Sequence, residues 1–199
     1  MATIYAESTD GSCGALTSNW DDVHDGASAK NTYFTATHRD DAVRVAGGVG
    51  YVGIFRVFMA FDTSGISVAP ESATLKIYGT GNNTTNMIGV KATHDPASVD
   101  ANTFNDLDGW TAGYGSGNLT AYTGTISAIS SWNTSGYNDI TLNSTALSDM
   151  AANSYLKIAL LAHPGDYSDS QPVSSDISTG MYFTQETGTS KDPYIDYTA

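Results

Sequence analysis

The chain has 199 residues, of which 40% are hydrophobic and only 15% are charged, and its formal net charge is −13. A negative charge of this size repels phosphate backbones and anionic bilayer surfaces, so we expect neither nucleic acid nor a membrane as a partner. No apolar run approaches the roughly 20 residues that span a bilayer. The single cysteine excludes an intrachain disulfide framework.

Short apolar or alternating runs, separated by Gly, Asn, Asp and Ser, follow one another along the chain. This pattern is typical of an all-β sandwich or barrel. The strongest run is 51–61, whose apolar residues fall on both faces and indicate a central strand that is covered on both sides. We predict about ten short strands, within residues 2–6, 31–37, 42–46, 51–61, 72–78, 87–93, 119–126, 137–142, 155–162, 180–184 and 194–198.

Other segments lack the strand pattern. Residues 10–30 are rich in Asp, Ser and Gly and are predicted as a long loop, so residues 1–30 form an N-terminal strand and this loop. Residues 95–117 and 164–178 are predicted to be irregular. One helix is predicted over 144–152, because Asn143 or Ser144 can cap it and Leu147, Met150 and Ala151 fall on one face. The expected fold class is all-β: a single antiparallel jelly-roll β-sandwich domain over residues 1–199, with one short helix.

Three stretches carry a resemblance to known proteins. Residues 56–64 read RVFMAFDTS and are followed by SATLKIYG at 72–79, and residues 188–197 read GTSKDPYIDY. These stretches resemble the signature of DNRLRE-type jelly-roll domains. With WNTSGYNDITLN at 132–143 added, the chain is similar to stand-alone proteins of tailed bacteriophages that are regarded as virion structural or decoration proteins. The resemblance covers residues 51–199, whereas residues 1–50 match only in style.

The resemblance implies a bacteriophage virion surface protein, a head decoration or cement protein that stabilises the capsid. Its partners would be the major capsid protein and further copies of itself, and closed symmetry favours a homotrimer. No signal peptide is visible after Met1, so we expect synthesis in the host cytoplasm and final location on the outer surface of the particle. The alternative is a non-catalytic carbohydrate-binding module or a receptor-binding fibre or tail component, because the same jelly-roll occurs as an accessory module in secreted enzymes.

No catalytic constellation stands out, so we do not expect an enzyme or a cofactor. The chain has no Gly-x-Ser-x-Gly elbow, and nothing distinguishes one carboxylate pair among its 21 acids as a glycosidase pair. The four histidines show no metal-ligand spacing. Two groups of acids could offer oxygens to Ca²⁺, but neither matches a calcium loop, and a calcium site is therefore not favoured: Asp21, Asp22 and Asp25, and Asp166, Asp169 and Asp176.

A few residues are singled out for binding. Ile4 and Tyr5 belong to a predicted edge strand, which tends to pair with a neighbour, and are predicted to contact a partner. Trp20, Trp110 and Trp132 fall in loops or strand ends, where an aromatic ring could stack on a sugar of a surface glycan, although large aromatics are more often core residues.

Arg56 is a different case, because it lies in the middle of an apolar strand, where a lone charge is costly. We predict that it pairs with Asp62 or with another loop acid.

Overall fold

Twelve β-strands, all paired antiparallel, make up nearly half of the residues that the computed structural model describes, which are 1–26, 31–32, 36–48, 51–111, 118–163, 165–171 and 177–199. This confirms the predicted all-β, jelly-roll-like sandwich. The strands are β1 (Ala2–Tyr5), β2 (Gly11–Thr17), β3 (Asn31–Thr32), β4 (His38–Gly48), β5 (Tyr51–Asp62), β6 (Ser72–Asn83), β7 (Met87–Lys91), β8 (Ala121–Ile126), β9 (Tyr137–Thr141), β10 (Tyr155–Ala162), β11 (Ile177–Tyr182) and β12 (Tyr194–Thr198).

Strand β6 connects the two sheets of the sandwich. Its first half pairs with β12 on one side and β9 on the other, and β12 pairs with β1, so the first sheet has the order β1–β12–β6–β9. Its second half pairs with β11, which continues through β4, β5, β10 and β7 to β8 in the second sheet. Strand β2 lies along β5, and β3 lies along β2. This topology places β1 and β9 at opposite edges of the first sheet.

Strand β5 is the centre of the core. Every residue from Val52 to Phe61 is buried, which confirms the prediction that this strand is covered on both faces. One of its faces is covered by the segment that follows β7, where the His94 ring packs edge-on against Phe58 and Phe104 lies against Arg56. The strand therefore holds a charged side chain, that of Arg56, inside an otherwise apolar core.

The prediction of a long loop over residues 10–30 is wrong for most of its length. Residues 11–17 form β2 and pair with β5, and residues 20–24 form a helix. Strand β2 reads GSCGALT and lacks the Val, Ile and aromatic residues that usually mark a strand. Gly14 is required by packing, because the Phe55 ring lies where its Cβ would be. Residues 27–30 of the predicted loop lie outside the described residues.

The helices are short. Helix α3 (Ser144–Ala152) has the predicted bounds, and the Asn143 side chain caps it by accepting from the Ala146 N–H. Three further pieces of four or five residues were not predicted, since they are too short to show apolar periodicity: α1 (Trp20–His24), a 3-10 helix (Ala101–Asn105) and α2 (Ala128–Ser131). None of the helices in the described ranges has the length and apolar character that a membrane crossing requires.

Other boundaries differ from the predictions. Strands β4 and β6 extend to residues 38–48 and 72–83, and β11 covers 177–182. Gly81 in β6 adopts a positive φ of 57°, which a glycine tolerates, so β6 continues through residues that look like a polar turn. The predicted strand residues 33–35, and the predicted irregular residues 112–117, 164 and 172–176, lie outside the described residues.

Candidate functional site

Five tyrosines from five strands form a row on the solvent side of the sandwich. Each is only partly buried, whereas the residues that follow four of them along the chain are buried, as β alternation requires. The rings belong to Tyr5 of β1, Tyr194 of β12, Tyr137 of β9, Tyr78 of β6 and Tyr182 of β11. We call these five residues together with Lys191 the tyrosine face.

The rings of the tyrosine face are in continuous contact. Successive ring centroids lie 5.6 Å apart for Tyr5 and Tyr194, 5.0 Å for Tyr194 and Tyr137, 5.3 Å for Tyr137 and Tyr78, and 5.4 Å for Tyr78 and Tyr182. Three of these four pairs meet edge to face, the arrangement that the ring quadrupole favours. The row is therefore a rigid aromatic surface.

Hydrogen bonds fix two of the rings from their outer ends. The Tyr78 hydroxyl donates to the Ser135 carbonyl at 2.6 Å, and the Tyr137 hydroxyl donates to the Asp192 carbonyl at 3.1 Å. Burial, reinforced by neighbouring negative charges, raises the pKa of Tyr137 to about 12. Burial and the carboxylate of Asp196 also raise the pKa of Tyr194. Both hydroxyls consequently remain protonated at neutral pH.

Two lysines, each close to an acidic residue, lie beside these rings. The Lys191 ammonium lies 4.1 Å from the centroid of the Tyr182 ring, within cation–π distance. Lys76, between Tyr194 and Tyr78 on the same face, forms an ion pair with Asp139 at 2.7 Å. Two of the five lysines in the chain therefore lie at this surface, although the protein as a whole is strongly acidic.

The two residues predicted to contact a partner lie at one end of this surface and behave differently. Tyr5 is 45% exposed and begins the aromatic row. Ile4 is partly buried, lies opposite Ile195 in the β1–β12 pair and packs against the core. Of the two, Tyr5 offers its side chain to a partner, whereas Ile4 mainly attaches β1 to the sandwich.

The predicted tryptophans do not form an exposed platform. Trp20 is 9% exposed and donates its indole N–H to Asp169 at 2.7 Å. Its ring stacks on His24, whose other side contacts the partly buried Trp110. Two predicted glycan residues are thus brought together, but in an aromatic cluster that packs beside Arg56.

Arg56 organises this cluster. Its guanidinium donates twice to Asp166, at 2.8 and 2.7 Å, and once each to the Phe104 carbonyl and the Asn105 amide oxygen, both at 2.7 Å. Its central carbon lies 4.6 Å from the centroid of the Trp110 ring. The prediction of a loop-acid partner is confirmed, and the partner is Asp166. Asp62 instead accepts a hydrogen bond from the Ser64 N–H.

Trp132 lies at the bottom of an open groove. It is 7% exposed and donates its indole N–H to the Gly180 carbonyl at 3.0 Å. The groove has a volume of about 500 Å³, and we call it the β8–β9 groove because two edge strands supply most of its lining: Thr123, Gly124, Thr125, Ile126, Ser127, Ser131, Trp132, Asn138, Asp139, Ile140 and Thr141.

Three of the acidic residues considered for Ca²⁺, Asp25, Asp166 and Asp169, have other partners. Asp25 contacts His24 at 2.8 Å, Asp166 is used by Arg56, and Asp21 and Asp22 occupy the first turn of α1. Asp176 lies outside the described residues. Within the described ranges, no group of three or more His, Cys, Asp or Glu side chains is arranged to hold a metal ion.

No family model matches the chain, and no curated protein matches it either. The resemblance to DNRLRE-type domains and to bacteriophage proteins therefore remains a prediction.

Sequence reasoning missed the tyrosine face. The alternation of residues 72–78 places Tyr78 on the outer face of its strand. Tyr194, which directly follows Pro193, is likewise placed on the outer face of the last strand. The row itself depends on the strand order β1–β12–β6–β9, which joins residues almost 190 positions apart along the chain. An outward tyrosine on several strands is the one signal that the sequence offers.

Proposed function

We propose that this chain is a non-catalytic structural protein of the bacteriophage particle surface, a decoration protein that docks on the capsid through its tyrosine face. The observation that carries the proposal is the row of five partly exposed tyrosine rings in mutual contact. Tyrosine is enriched at protein interfaces because it offers a large amphipathic area at low cost in side-chain entropy. Since the rings already hold one another, docking immobilises few additional rotamers.

The charge distribution supports the same surface. A protein with net charge −13 repels other acidic surfaces and other copies of itself. On the tyrosine face, Lys191 lies 3.7 Å from Glu186 and Lys76 pairs with Asp139, so local charges of both signs are present. The two lysines therefore offset part of the acidic charge of this surface, to which Asp196 near Tyr194 also contributes.

Edge strand β1 suits the proposed self-association. It pairs only with β12 among the described strands, and Tyr5 lies at its end. Copies arranged around a closed symmetry axis, as in the trimer expected from the resemblance, would bring this edge against a neighbour. Each added interface stabilises the assembled shell by mass action.

Two side chains that could carry catalysis, those of Asp166 and Cys13, are buried in the fold, which supports a non-catalytic role. Asp166, which lies 3.7 Å from the His24 ring, is fully buried and is held by Arg56 through both oxygens. A general acid or base must reach a substrate proton, and this carboxylate cannot. Cys13 is also buried, and burial raises the pKa of its thiol to about 12, so it does not supply a thiolate nucleophile at neutral pH.

Electron cryo-microscopy of intact particles from a producing culture tests the proposal. We expect one sandwich per site on the outer shell, with the tyrosine face against the major capsid protein. In parallel, the purified protein is applied to a glycan array. Absence of the sandwich from the particle, together with binding to a defined oligosaccharide, would support the carbohydrate-binding alternative instead.

A further inference from the structure

The β8–β9 groove separates two strand edges that are both unpaired. Among the described strands, β8 pairs with β7 only and β9 pairs with β6 only. The two strands end opposite sheets of the sandwich on the same side of the molecule, and both line the groove. At one end the edges are held together, because Asn143 donates its backbone N–H to the Tyr122 carbonyl at 2.9 Å and its side-chain amide to the Ala121 carbonyl at 2.8 Å. From this point the two edges diverge.

The backbone of β9 directs free hydrogen-bonding groups into this groove. The Leu142 N–H donates to the Ala73 carbonyl and the Gly79 N–H donates to the Gly136 carbonyl, both at 3.0 Å. In an antiparallel pair these groups point alternately toward and away from the partner strand. The N–H and C=O groups of Asp139 and Thr141 therefore point away from β6, toward β8.

This edge lacks the usual protection. Exposed edges are normally blunted by several charged residues, especially lysine, or by proline, but residues 123–127 read TGTIS and residues 137–141 read YNDIT, with Asp139 as their one charged residue and without proline. Sheets that pack face to face lie about 10 Å apart, roughly twice the 4.8 Å between paired strands. One extended chain therefore fits between two edges that lie at the sheet-packing distance, and the groove between β8 and β9 is an open space of about 500 Å³.

We infer that the β8–β9 groove binds an extended peptide segment of a partner protein, which adds to β9 as a further strand and carries a lysine or arginine opposite Asp139. Main-chain hydrogen bonds supply affinity in this mode of recognition. The charge preference follows from the carboxylate of Asp139, which pairs with Lys76 through one oxygen at 2.7 Å but whose side chain is 65% exposed at the groove, and from the net charge of −13. The inference does not depend on the tyrosine face or on the capsid as partner.

The variant Thr141→Pro tests the inference directly. Proline removes the N–H that points into the groove and leaves the ladder to β6 intact, because position 141 does not donate to β6. Thr3→Pro is the matched control on the other edge of the same sheet: the Ala6 N–H donates to the Pro193 carbonyl at 2.9 Å, so the alternation also turns the Thr3 N–H away from its partner strand.

The probe is a library of random heptapeptides fused to a carrier protein and selected on the wild-type chain. We expect enriched peptides to alternate β-branched residues and to contain lysine or arginine. They should bind Thr141→Pro at least about tenfold more weakly than wild type and bind Thr3→Pro with unchanged affinity. Asp139→Asn should weaken binding severalfold without affecting the fold. In wild type, the amide signals of Asp139 and Thr141 should shift on titration.

Three results would each overturn the inference. The first is a selection that enriches no peptide. The second is an enriched peptide that binds wild type and Thr141→Pro equally well, while circular dichroism shows both proteins to be folded. The third is a shift of the Asp139 and Thr141 signals with neutral or acidic oligosaccharides and not with peptides, which would identify the groove as a sugar site.

Discussion

Arg56 and Asp166 form a two-point ion pair in the centre of the protein, with both side chains completely buried and 110 positions apart along the chain. The pair links the central strand β5 to the segment after β10, and the same guanidinium also holds the carbonyl of Phe104. One buried cation thus fixes two segments that follow different strands. Their positions determine where Trp20, His24 and Trp110 pack.

Replacement of Asp166 should be strongly destabilising. Asp166→Asn leaves the Arg56 charge buried without a counter-ion, and breaking such a pair costs about 3–5 kcal/mol. Asp62→Asn is the matched control, since Asp62 is the other acid that the sequence offered as a partner but is exposed and caps only Ser64. Urea unfolding of both variants measures the difference. Similar midpoints for the two variants would show that the buried pair is not important for stability.

Asp10 should make stability depend on pH. Burial raises its pKa from 3.8 to about 7, although Thr184 and Gln185 donate hydrogen bonds to its carboxyl group. Because the folded state holds this proton more tightly than the unfolded state, protonated Asp10 contributes its full stabilisation of the folded state below about pH 4. It is lost as the pH rises through about 7, and the loss is on the order of a few kcal/mol.

Asp10→Asn should remove this contribution. The difference in unfolding free energy between the variant and wild type should therefore move in favour of the variant as the pH rises from 4 to 8. Asp196→Asn, which removes a surface carboxylate that accepts from Thr3, controls for the general effect of one fewer negative charge. A difference between Asp10→Asn and wild type that is constant across this range would contradict the assignment.

Deletion of residues 1–5 should weaken assembly and leave the fold intact. The deletion removes the Tyr5 ring and the Ile4–Ile195 contact, while the Glu7 N–H still donates to the Ala60 carbonyl at 2.8 Å. Loss of one partly buried isoleucine costs about 1–2 kcal/mol, which thermal unfolding can measure. Sedimentation velocity should show a smaller average mass than for the full chain. If the truncated protein is unfolded, β1 belongs to the essential core and not to an interface.

The sequence predicts elements whose signal is local. Strand β5 and helix α3 appear where the patterns place them, because a run of large apolar residues and a capped apolar face leave few alternatives. Strand β2 is not predictable in this way, because Gly14 is required by the Phe55 ring of another strand. The tyrosine face cannot be predicted for the same reason, since no local pattern reveals that Tyr5, Tyr194 and Tyr78 become neighbours.

The partner of Arg56 shows the same limit. A buried guanidinium requires a carboxylate, so the existence of the pair follows from residue chemistry alone. Its identity does not, because Asp166 is brought to β5 only by the course of the chain after β10. Trp132 illustrates an error of the opposite kind. Its position near a strand end favours an exposed ring, but its indole N–H donates to the Gly180 carbonyl in the core.

Co-sedimentation with particles that lack this protein tests the central claim, docking through the tyrosine face, most directly. The double variant Tyr78→Ser/Tyr194→Ser removes the two rings on either side of Tyr137, and with them all four ring contacts of the row. The control, Val68→Ser, changes a residue that is 75% exposed and lies outside the row. We predict that Val68→Ser binds particles like wild type, whereas the double variant, still folded by circular dichroism, binds at least about tenfold more weakly. Equal binding of the folded double variant and wild type would contradict the account.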